Sequence, residues 1–320
     1  MRPLEPVPLE EIRAARERLG GVGTDSPLVR LNVDDAPAEI YLKLENLQPI
    51  GSHKLRGAGN ILKVTDPKLL ERGVWTASAG NMAQGLAWFA REMGLDCTIV
   101  VPDHAPETKL AAISRLGGKT VKIPVADWFG ILRGDSYEGI EGFFIHPVTE
   151  PAVMAGHGTI GLEIVEQVPD LDAVVIPFGG GALGSGIASA VRPLRPEVKV
   201  YAAEVETAAP LAPSLEAGRP VEVEYAPSFV DGMGAPYLIP GMWPLVQQML
   251  DGSIVVSLED IAAAILLLVE RNRVVAEGAG AGSVAAALTG RAGTGKVVCV
   301  VSGGNIDIDK LVTILQGQVP

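Results

Sequence analysis

One lysine of the chain stands where its amine could act as a nucleophile. The segment ENLQPIGSHKLRGAGN, residues 45–60, places a turn-forming proline and glycine before Lys54 and a helical pattern after it. The predicted helix start disfavours a cation, because the positive end of the helix dipole lowers the pKa of the amine. A lysine with a lowered pKa is the form that condenses with an aldehyde. The alternative is a solvated surface lysine beside Arg56.

A second segment could hold an anion through its backbone. In TASAGNMAQGLAWFA a predicted strand ends at Ser78, Ala79 and Gly80, and a helix starts near Asn81. The free N–H groups at such a helix start bind an anion without a basic side chain, and a substrate carboxylate suits them. The alternative is an ordinary tight strand-to-helix turn.

The segment AVVIPFGGGALGSGIASA contains a glycine-rich loop between a predicted strand and a helix. The successive amides of Gly179, Gly180, Gly181 and Ala182, together with the helix dipole, form a cradle for a phosphate group. The same loop also fits the glycine pattern of dinucleotide-binding proteins, with Glu204 at a later strand end. A nicotinamide-dependent oxidoreductase is therefore an alternative to an enzyme whose lysine binds an aldehyde.

The last polar group of interest is Ser302, which ends the apolar run KVVCVVS and leads into the glycine turn SGGN. A hydroxyl at the carboxyl end of a strand points into the crevice where α/β proteins bind ligands, so Ser302 could reach a heterocycle nitrogen. The alternative is a polar residue that simply begins the turn.

The elements that must position these groups alternate along the chain. Short apolar runs bounded by glycine or proline alternate with amphipathic stretches, which is typical of βαβ units and predicts an α/β fold. The predicted strands are 40–45, 74–78, 97–101, 119–123, 173–178, 198–204 and 296–302, and clear helical patterns cover 81–94, 106–118 and 258–272. Residues 218–244 are the least regular stretch, predicted to be a long functional loop or a connector.

Composition excludes several classes of partner. The 320 residues carry a formal net charge of −12, and no segment clusters enough Lys and Arg to neutralise a polyanion, so nucleic acids and anionic membranes are not expected partners. The longest apolar stretch, AAAILLLV at 262–269, is too short to span a bilayer, and the N-terminal segment does not resemble a targeting signal. Cys97 and Cys299 lie in apolar runs and are expected to be structural thiols. We therefore expect a cytoplasmic protein.

Taken in order, GSHKLRGA, SAGNMAQG, PFGGGALGSG and SGGN resemble the serine/threonine dehydratase and serine racemase branch of the fold-type-II pyridoxal-phosphate (PLP) enzymes. The resemblance also includes ENLQP, HPVTEPAVMAGHGTIGLEI at 146–164 and KVYAAE at 199–204. It implies a two-lobed fold like that of tryptophan synthase β, with mostly parallel twisted sheets and helices on both faces. We expect a large cofactor-binding lobe from 1–66 and 146–320, and a small substrate-closing lobe from 67–145.

The resemblance also implies a role for each motif. Lys54 would bind PLP covalently and act as the catalytic base, and Asn81 would bond the ring hydroxyl. Ser302 would meet the pyridine nitrogen. The phosphate would be held by Gly179, Gly180, Gly181 and Ala182, and the substrate carboxylate by Ser78, Ala79, Gly80 and Asn81.

The implied reaction is the β-elimination of a small β-hydroxy amino acid, such as L-threonine or L-serine, to a 2-oxo acid and ammonia. A neutral hydroxyl at Ser302 stabilises a protonated pyridine less than a carboxylate would, which favours elimination over racemisation. Ala79 stands where racemases carry a second serine base. A bulkier or acidic β-hydroxy amino acid, racemisation, and non-catalytic ligand binding are the alternatives.

Some residues depart from the family pattern. His53 stands where Phe is usual, and Met82 where His is usual, which puts the substrate preference in doubt. Glu204 matches a carboxylate of the divalent-cation site of some relatives, but Pro210 stands where its acidic partner would be, so no metal site is expected. The expected partner is a small-molecule amino acid, and relatives imply a homodimer.

Overall fold

A computed structural model describes residues 4–23, 25–134, 137–239 and 241–320. The strands are β1 Leu28–Arg30, β2 Glu39–Leu44, β3 Val74–Ala77, β4 Cys97–Pro102, β5 Lys119–Ile123, β6 Phe143–Phe144, β7 Ala173–Pro177, β8 Lys199–Val205, β9 Gly252–Val256 and β10 Lys296–Val301. The helices are α1 Leu9–Leu19, α2 Lys54–Val64, α3 Pro67–Leu70, α4 Asn81–Glu92, α5 Glu107–Arg115, α6 Val125–Arg133, α7 Pro151–Gln167, α8 Ala182–Leu194, α9 Leu211–Ala217, α10 Trp243–Met249, α11 Leu258–Leu267, α12 Gly278–Leu288 and α13 Ile308–Leu315. A 3-10 turn covers Glu45–Leu47, and a π-helical turn covers Leu268–Asn272.

Six strands form the larger sheet, in the order β1-β2-β10-β7-β8-β9. All neighbours in it are parallel except β1, which is antiparallel to β2. Alternate residues of β10 enter two different hydrophobic clusters, Val298 on one face and Cys299 on the other. Both faces are thus covered by helices, which explains why the central strands β7 and β10 are largely apolar.

Four parallel strands form the second sheet, in the order β5-β4-β3-β6. Helices α2 and α4 bury one of its faces, with Leu55, Leu86 and Ile99 in the same core. Trp75 of β3 and Ile131 of α6 belong to a smaller cluster on the other face of this sheet.

Helix α2 lies between the two sheets because it packs on both α4 and α7. Its contact with α7 is close enough to require glycine. A Cβ on Gly156 would lie 2.4 Å from the carbonyl oxygen of Arg56, and one on Gly57 would lie 2.6 Å from the His157 ring. The backbones of α2 and α7 therefore approach directly, and the first turn of α2 is held rigidly.

The α/β class and all seven predicted strands are confirmed. Within 218–244, the described residues before α10 are mainly irregular. Cys97 and Cys299 are buried and unpaired, as expected of structural thiols. Among the described residues, no helix is long and apolar enough to cross a membrane.

Candidate active site

Lys54 is the first residue of α2 and is half-buried. Burial lowers the pKa of its amine to about 8, and the nearby negative charge of Glu277 opposes part of this shift. The amine makes no hydrogen bond or ion pair with any residue that the structure describes. The structure places Lys54 at a helix start, as the sequence predicts, but burial and not the helix dipole is the main cause of its lowered pKa.

The loop before Lys54 is fastened to the carboxyl end of β10. The backbone N–H of His53 donates to the carbonyl of Ser302 at 2.9 Å, and Ser52 forms an isolated bridge with Gly303. Ser302 is only 2 % exposed, and its hydroxyl bonds to none of the described residues. The structure thus brings the predicted lysine and serine together, although 248 positions separate them (302 − 54).

Asn81 begins α4 and joins this group through two side-chain hydrogen bonds. Its Nδ2 donates to Oε1 of Glu277 at 2.8 Å, and its Oδ1 accepts from Nδ2 of Asn305 at 2.8 Å. Helix α4 also packs closely on the start of α2, since a Cβ on Gly85 would lie 3.1 Å from the carbonyl oxygen of Lys54. Asn81 is therefore held in place in a cleft that is also lined by Asp231, Glu277 and Asn305.

Glu277 is a member of the site that sequence reasoning missed. It precedes α12, is 7 % exposed, and its backbone N–H donates to the carbonyl of Gly303 at 3.0 Å. Burial, reinforced by the charge of Asp231, raises the pKa of its carboxyl group to about 7, although the Asn81 hydrogen bond acts in the opposite direction. The available signal was an acid directly before the glycine-rich helix EGAGAGS.

The predicted carboxylate-binding turn lies beside Asn81. Ser78 Oγ accepts from the backbone N–H of Gly80 at 3.2 Å. The backbone N–H groups of Ala79 and Asn81 donate to no other residue in the described part of the chain. Two free donors at a helix start can bind a carboxylate.

The glycine-rich loop lies at the start of α8. No described residue accepts from the backbone N–H groups of Gly179, Gly180, Gly181 or Ala182. A Cβ on Gly180 would lie 2.5 Å from Val148, and Gly181 has a φ of +93°, so the loop shape depends on glycine. Four unpaired amides at a helix start suit a phosphate group.

Contacts from this loop to the rest of the site run through residues 232–234. The position of a Cβ on Gly179 is 3.6 Å from Cα of Met233, and Gly234 donates to the Phe178 carbonyl at 3.1 Å. The same segment touches Glu277, because a Cβ on Gly232 would lie 3.2 Å from Oε1 of Glu277.

Glu204 has a structural role in this fold. Its carboxylate accepts from the backbone N–H groups of Leu211 and Ala212 at 2.8 and 2.9 Å, and from Oγ of Ser253 at 2.6 Å. The side chain is fully buried. It therefore binds the start of α9 and cannot also bond a ribose, which argues against the dinucleotide alternative.

A buried charge cluster, defined by Lys43, Glu45, Arg56 and Glu163, holds the other side of α2. Arg56 Nη2 lies 2.6 Å from Glu45 Oε1 and 3.0 Å from Glu163 Oε2, and Lys43 Nζ lies 2.6 Å from Glu163 Oε2. Burial alone would raise the pKa of Glu163, but Arg56 and Lys43 lower it to about 2.

These groups fit PLP. A free amine of lowered pKa, four unpaired amides in a glycine cradle, and an unpaired buried hydroxyl match its aldehyde, its phosphate and its ring nitrogen respectively.

Comparison with known proteins agrees with this fit. The family model of pyridoxal-phosphate dependent enzymes matches residues 21–303. The chain is 41% identical over 315 residues to the L-threonine ammonia-lyase of Thermotoga maritima, in a match that covers 97% of this chain and 78% of that protein. It is 34% identical to the catabolic L-threonine dehydratase of Escherichia coli K12, over 96% of this chain and 95% of that one.

Solved structures show the same fold. Maize serine racemase superimposes with a TM-score of 0.86 at 30% identity, over 98% of both chains. The processed threonine deaminase isoform 2 of Solanum lycopersicum has a TM-score of 0.84 at 30% identity, over 96% of this chain and 86% of that one. The chain therefore belongs to the pyridoxal-phosphate-dependent enzymes. Within them it falls in the fold-type-II branch of serine/threonine dehydratases and serine racemases.

Proposed function

We propose that this protein is a PLP-dependent ammonia-lyase that dehydrates L-threonine or L-serine and releases a 2-oxo acid and ammonia. The observation that carries the proposal is the half-buried, unpaired amine of Lys54, with a pKa of about 8, between the Ser302 strand end and the start of α4. The relatives named as threonine ammonia-lyases and dehydratases support the choice of substrate.

In this proposal the chain supplies binding and proton transfer. PLP, when bound, supplies a ring that stabilises negative charge at the substrate Cα. Lys54 holds the cofactor, then takes the Cα proton as general base. Ser302 Oγ would meet the ring nitrogen, and Asn81 would bond the ring hydroxyl. The amides of Gly179, Gly180, Gly181 and Ala182 would bind the phosphate. In the turn Ser78–Asn81 the free amides of Ala79 and Asn81 would bind the substrate carboxylate, because the Ser78 N–H donates to the Val100 carbonyl and the Gly80 N–H to Ser78 Oγ.

The arrangement favours elimination over racemisation. Ser302 is a neutral group, so it stabilises a protonated ring nitrogen less than a carboxylate would. Ala79 places a methyl group beside the carboxylate-binding turn, where it cannot move a proton on the opposite face of the substrate. Loss of the β-hydroxyl is then the favoured outcome.

We further propose a large lobe of residues 1–66 and 146–320 and a small lobe of residues 67–145 that closes on the substrate. The four-stranded sheet falls within the second range, and the cleft between Asn81 and Glu277 lies where the lobes meet. A cytoplasmic homodimer remains our prediction, and sedimentation of the holoenzyme tests the dimer.

The decisive experiment compares Lys54→Ala with Lys68→Ala, which removes an exposed lysine of α3. Lys54→Ala should lose both the visible absorption of bound PLP and the formation of 2-oxobutyrate from L-threonine, by about 10²- to 10⁴-fold in rate. Lys68→Ala should retain both. Full cofactor absorption and turnover in Lys54→Ala would contradict the proposal, and chiral analysis of recovered L-serine measures any racemisation.

A further inference from the structure

Two buried histidines that the proposed mechanism does not use pack against each other beside the start of α2. His53 precedes Lys54, His157 lies in α7, and their ring centroids are 4.9 Å apart at an interplanar angle of 61°. They are 7 % and 0 % exposed. Nε2 of His53 and both ring nitrogens of His157 are buried and bond to none of the residues in the described ranges. A cluster of three such atoms is unusual, because buried polar groups are nearly always hydrogen-bonded.

The remaining nitrogen of His53 defines the protonation of that ring. Its Nδ1 lies 3.0 Å from the carbonyl oxygen of Ser302. A carbonyl oxygen only accepts, so Nδ1 must carry the hydrogen. Burial and the charge of Lys54 lower the pKa of His53 to about 3, so the ring is neutral and Nε2 is a free acceptor.

His157 is also neutral, and it therefore offers one N–H donor and one acceptor. Burial lowers its pKa, with smaller effects in the same direction from His53, Lys54 and Arg56. The Arg56 guanidinium itself is engaged by Glu45 and Glu163. No carboxylate among the described residues bonds to either ring, so nothing favours a charged imidazole here.

We propose that His53 and His157 bind one buried water molecule, which donates to Nε2 of His53 and accepts from the N–H of His157. The water keeps His53 in the Nδ1–H form, and that form holds the Ser302 carbonyl. His53 is thus a positioning residue for Ser302. The water site stands on the geometry of the two rings, whereas its importance for the cofactor rests on the proposed function.

The energetics favour a histidine pair with a bound water over the same pair without one. Each buried polar atom without a partner costs about 1–3 kcal/mol. One water with two to four polar partners removes most of that cost, and the two adjacent rings offer one donor and two acceptors that have no other partner among the described residues. The Ser302 carbonyl then receives two hydrogens from one residue, the backbone N–H of His53 at 2.9 Å and Nδ1–H at 3.0 Å.

The first test is direct and needs no turnover. In ¹⁵N-labelled full-length protein, with and without PLP, His53 should show a protonated Nδ1 and an unprotonated Nε2 at neutral pH. The exposed His104 serves as the reference imidazole. A high-resolution crystal structure should show one water within hydrogen-bond distance of both rings. A His53 protonated at Nε2, or a site without water, would overturn the proposal.

The second test measures the positioning role. His157→Phe should lower the fraction of His53 in the Nδ1–H form and weaken PLP binding about tenfold, the equivalent of about 1.4 kcal/mol. His157→Gln retains a donor and an acceptor and should restore most of the affinity. The double variant His53→Phe/His157→Phe leaves no unpaired ring nitrogen, so it should fold, bind no water and bind PLP as weakly as His157→Phe. Wild-type PLP affinity in that double variant would refute a positioning role.

The two proposals fail in different ways. If the protein binds PLP but turns over neither threonine nor serine, the proposed function is wrong while the NMR and crystallographic results on the histidine pair still stand. If turnover is normal and His53 is protonated at Nε2, only the histidine proposal fails.

Discussion

The two sides of the first turn of α2 carry positive side chains only two residues apart, with opposite surroundings. On one side Arg56 is fully buried and paired with Glu45 and Glu163 in the buried charge cluster. On the other side Lys54 is half-buried and has no ion pair among the described residues, and its pKa is lowered. The two neighbouring carboxylates thus give Arg56 a structural role. Lys54 has no described carboxylate within ion-pair distance, so its amine is available for chemistry.

The comparison predicts that damage to the buried charge cluster has the largest effect on stability. Glu163→Gln leaves Arg56 and Lys43 with one buried carboxylate for two cations and should reduce the free energy of unfolding by about 3–5 kcal/mol. Urea denaturation measures this. Glu166→Gln is the matched control in the same helix, because its pair with Arg16 is exposed, and it should change stability by less than about 1 kcal/mol.

The pH dependence of unfolding gives an independent check on the cluster. The folded-state pKa of Glu163 is about 2, below its ordinary value of 4.5. Its contribution is therefore fully present above pH 4.5 and is lost as the pH falls towards 2. Wild-type protein should lose more stability than Glu163→Gln over that range, and equal losses would show that the cluster does not act in this way.

Damage to the phosphate cradle should affect the cofactor first. Gly180→Ala places a Cβ 2.5 Å from Val148 and should cost about 1–3 kcal/mol, seen mainly as a ten- to hundredfold rise in the Kd for PLP. Gly184→Ala, one turn further along α8, meets nothing closer than 3.5 Å and serves as the control. Equal Kd values for the two variants would contradict the cradle.

Glu277 allows a further test of the difference between the Arg56 side and the Lys54 side of α2. Its negative charge raises the pKa of Lys54, so Glu277→Gln should lower that pKa below about 8. The capture of PLP by apoprotein requires the neutral amine, and its rate should rise with pH through the Lys54 pKa. Stopped-flow absorbance should show this rise at lower pH in Glu277→Gln than in wild type; a shift to higher pH would be inconsistent with the geometry.

The smallest effect on stability is expected at the mouth of the cleft. Lys109 Nζ lies 2.6 Å from Asp231 Oδ2, but both side chains are partly exposed. Asp231→Asn should change the free energy of unfolding by less than about 1 kcal/mol. It should still lower the pKa of Glu277, since the Asp231 charge raises it. Infrared titration of the Glu277 carboxyl group measures that shift. A large loss of stability in Asp231→Asn would contradict the expectation that exposed ion pairs contribute less to stability than buried ones.

Much of the fold was predictable because the central strands are buried on both faces. Apolar runs such as the one at β10 can be recognised as strands in the sequence. In contrast, β1 and β6 have only three and two residues and lack a recognisable pattern. Strand β9 begins at Gly252 beside a turn, and its only strand neighbour in the described part of the chain is β8. Propensity alone does not identify such an edge strand.

In the site, residues in glycine-rich motifs were predictable and isolated ones were not. Lys54, Asn81 and Ser302 each lie in a distinctive segment, and the structure brings their segments together. Glu277 looks like an ordinary helix cap in sequence, and its raised pKa arises only when the fold buries it. The pairing of His53 with His157 depends on the approach of α2 to α7, which no local pattern reveals.

The parallel pairing of β2 with β10 has a consequence for biosynthesis. Leu44 aligns with Val301, so the strand beside the lysine loop is made about 250 residues after the loop itself (301 − 44 = 257). A ribosome-bound chain exposes the lysine long before its pocket can exist. PLP binding should therefore follow completion of the central sheet. Chains that end before β10 should bind no PLP and should be colourless.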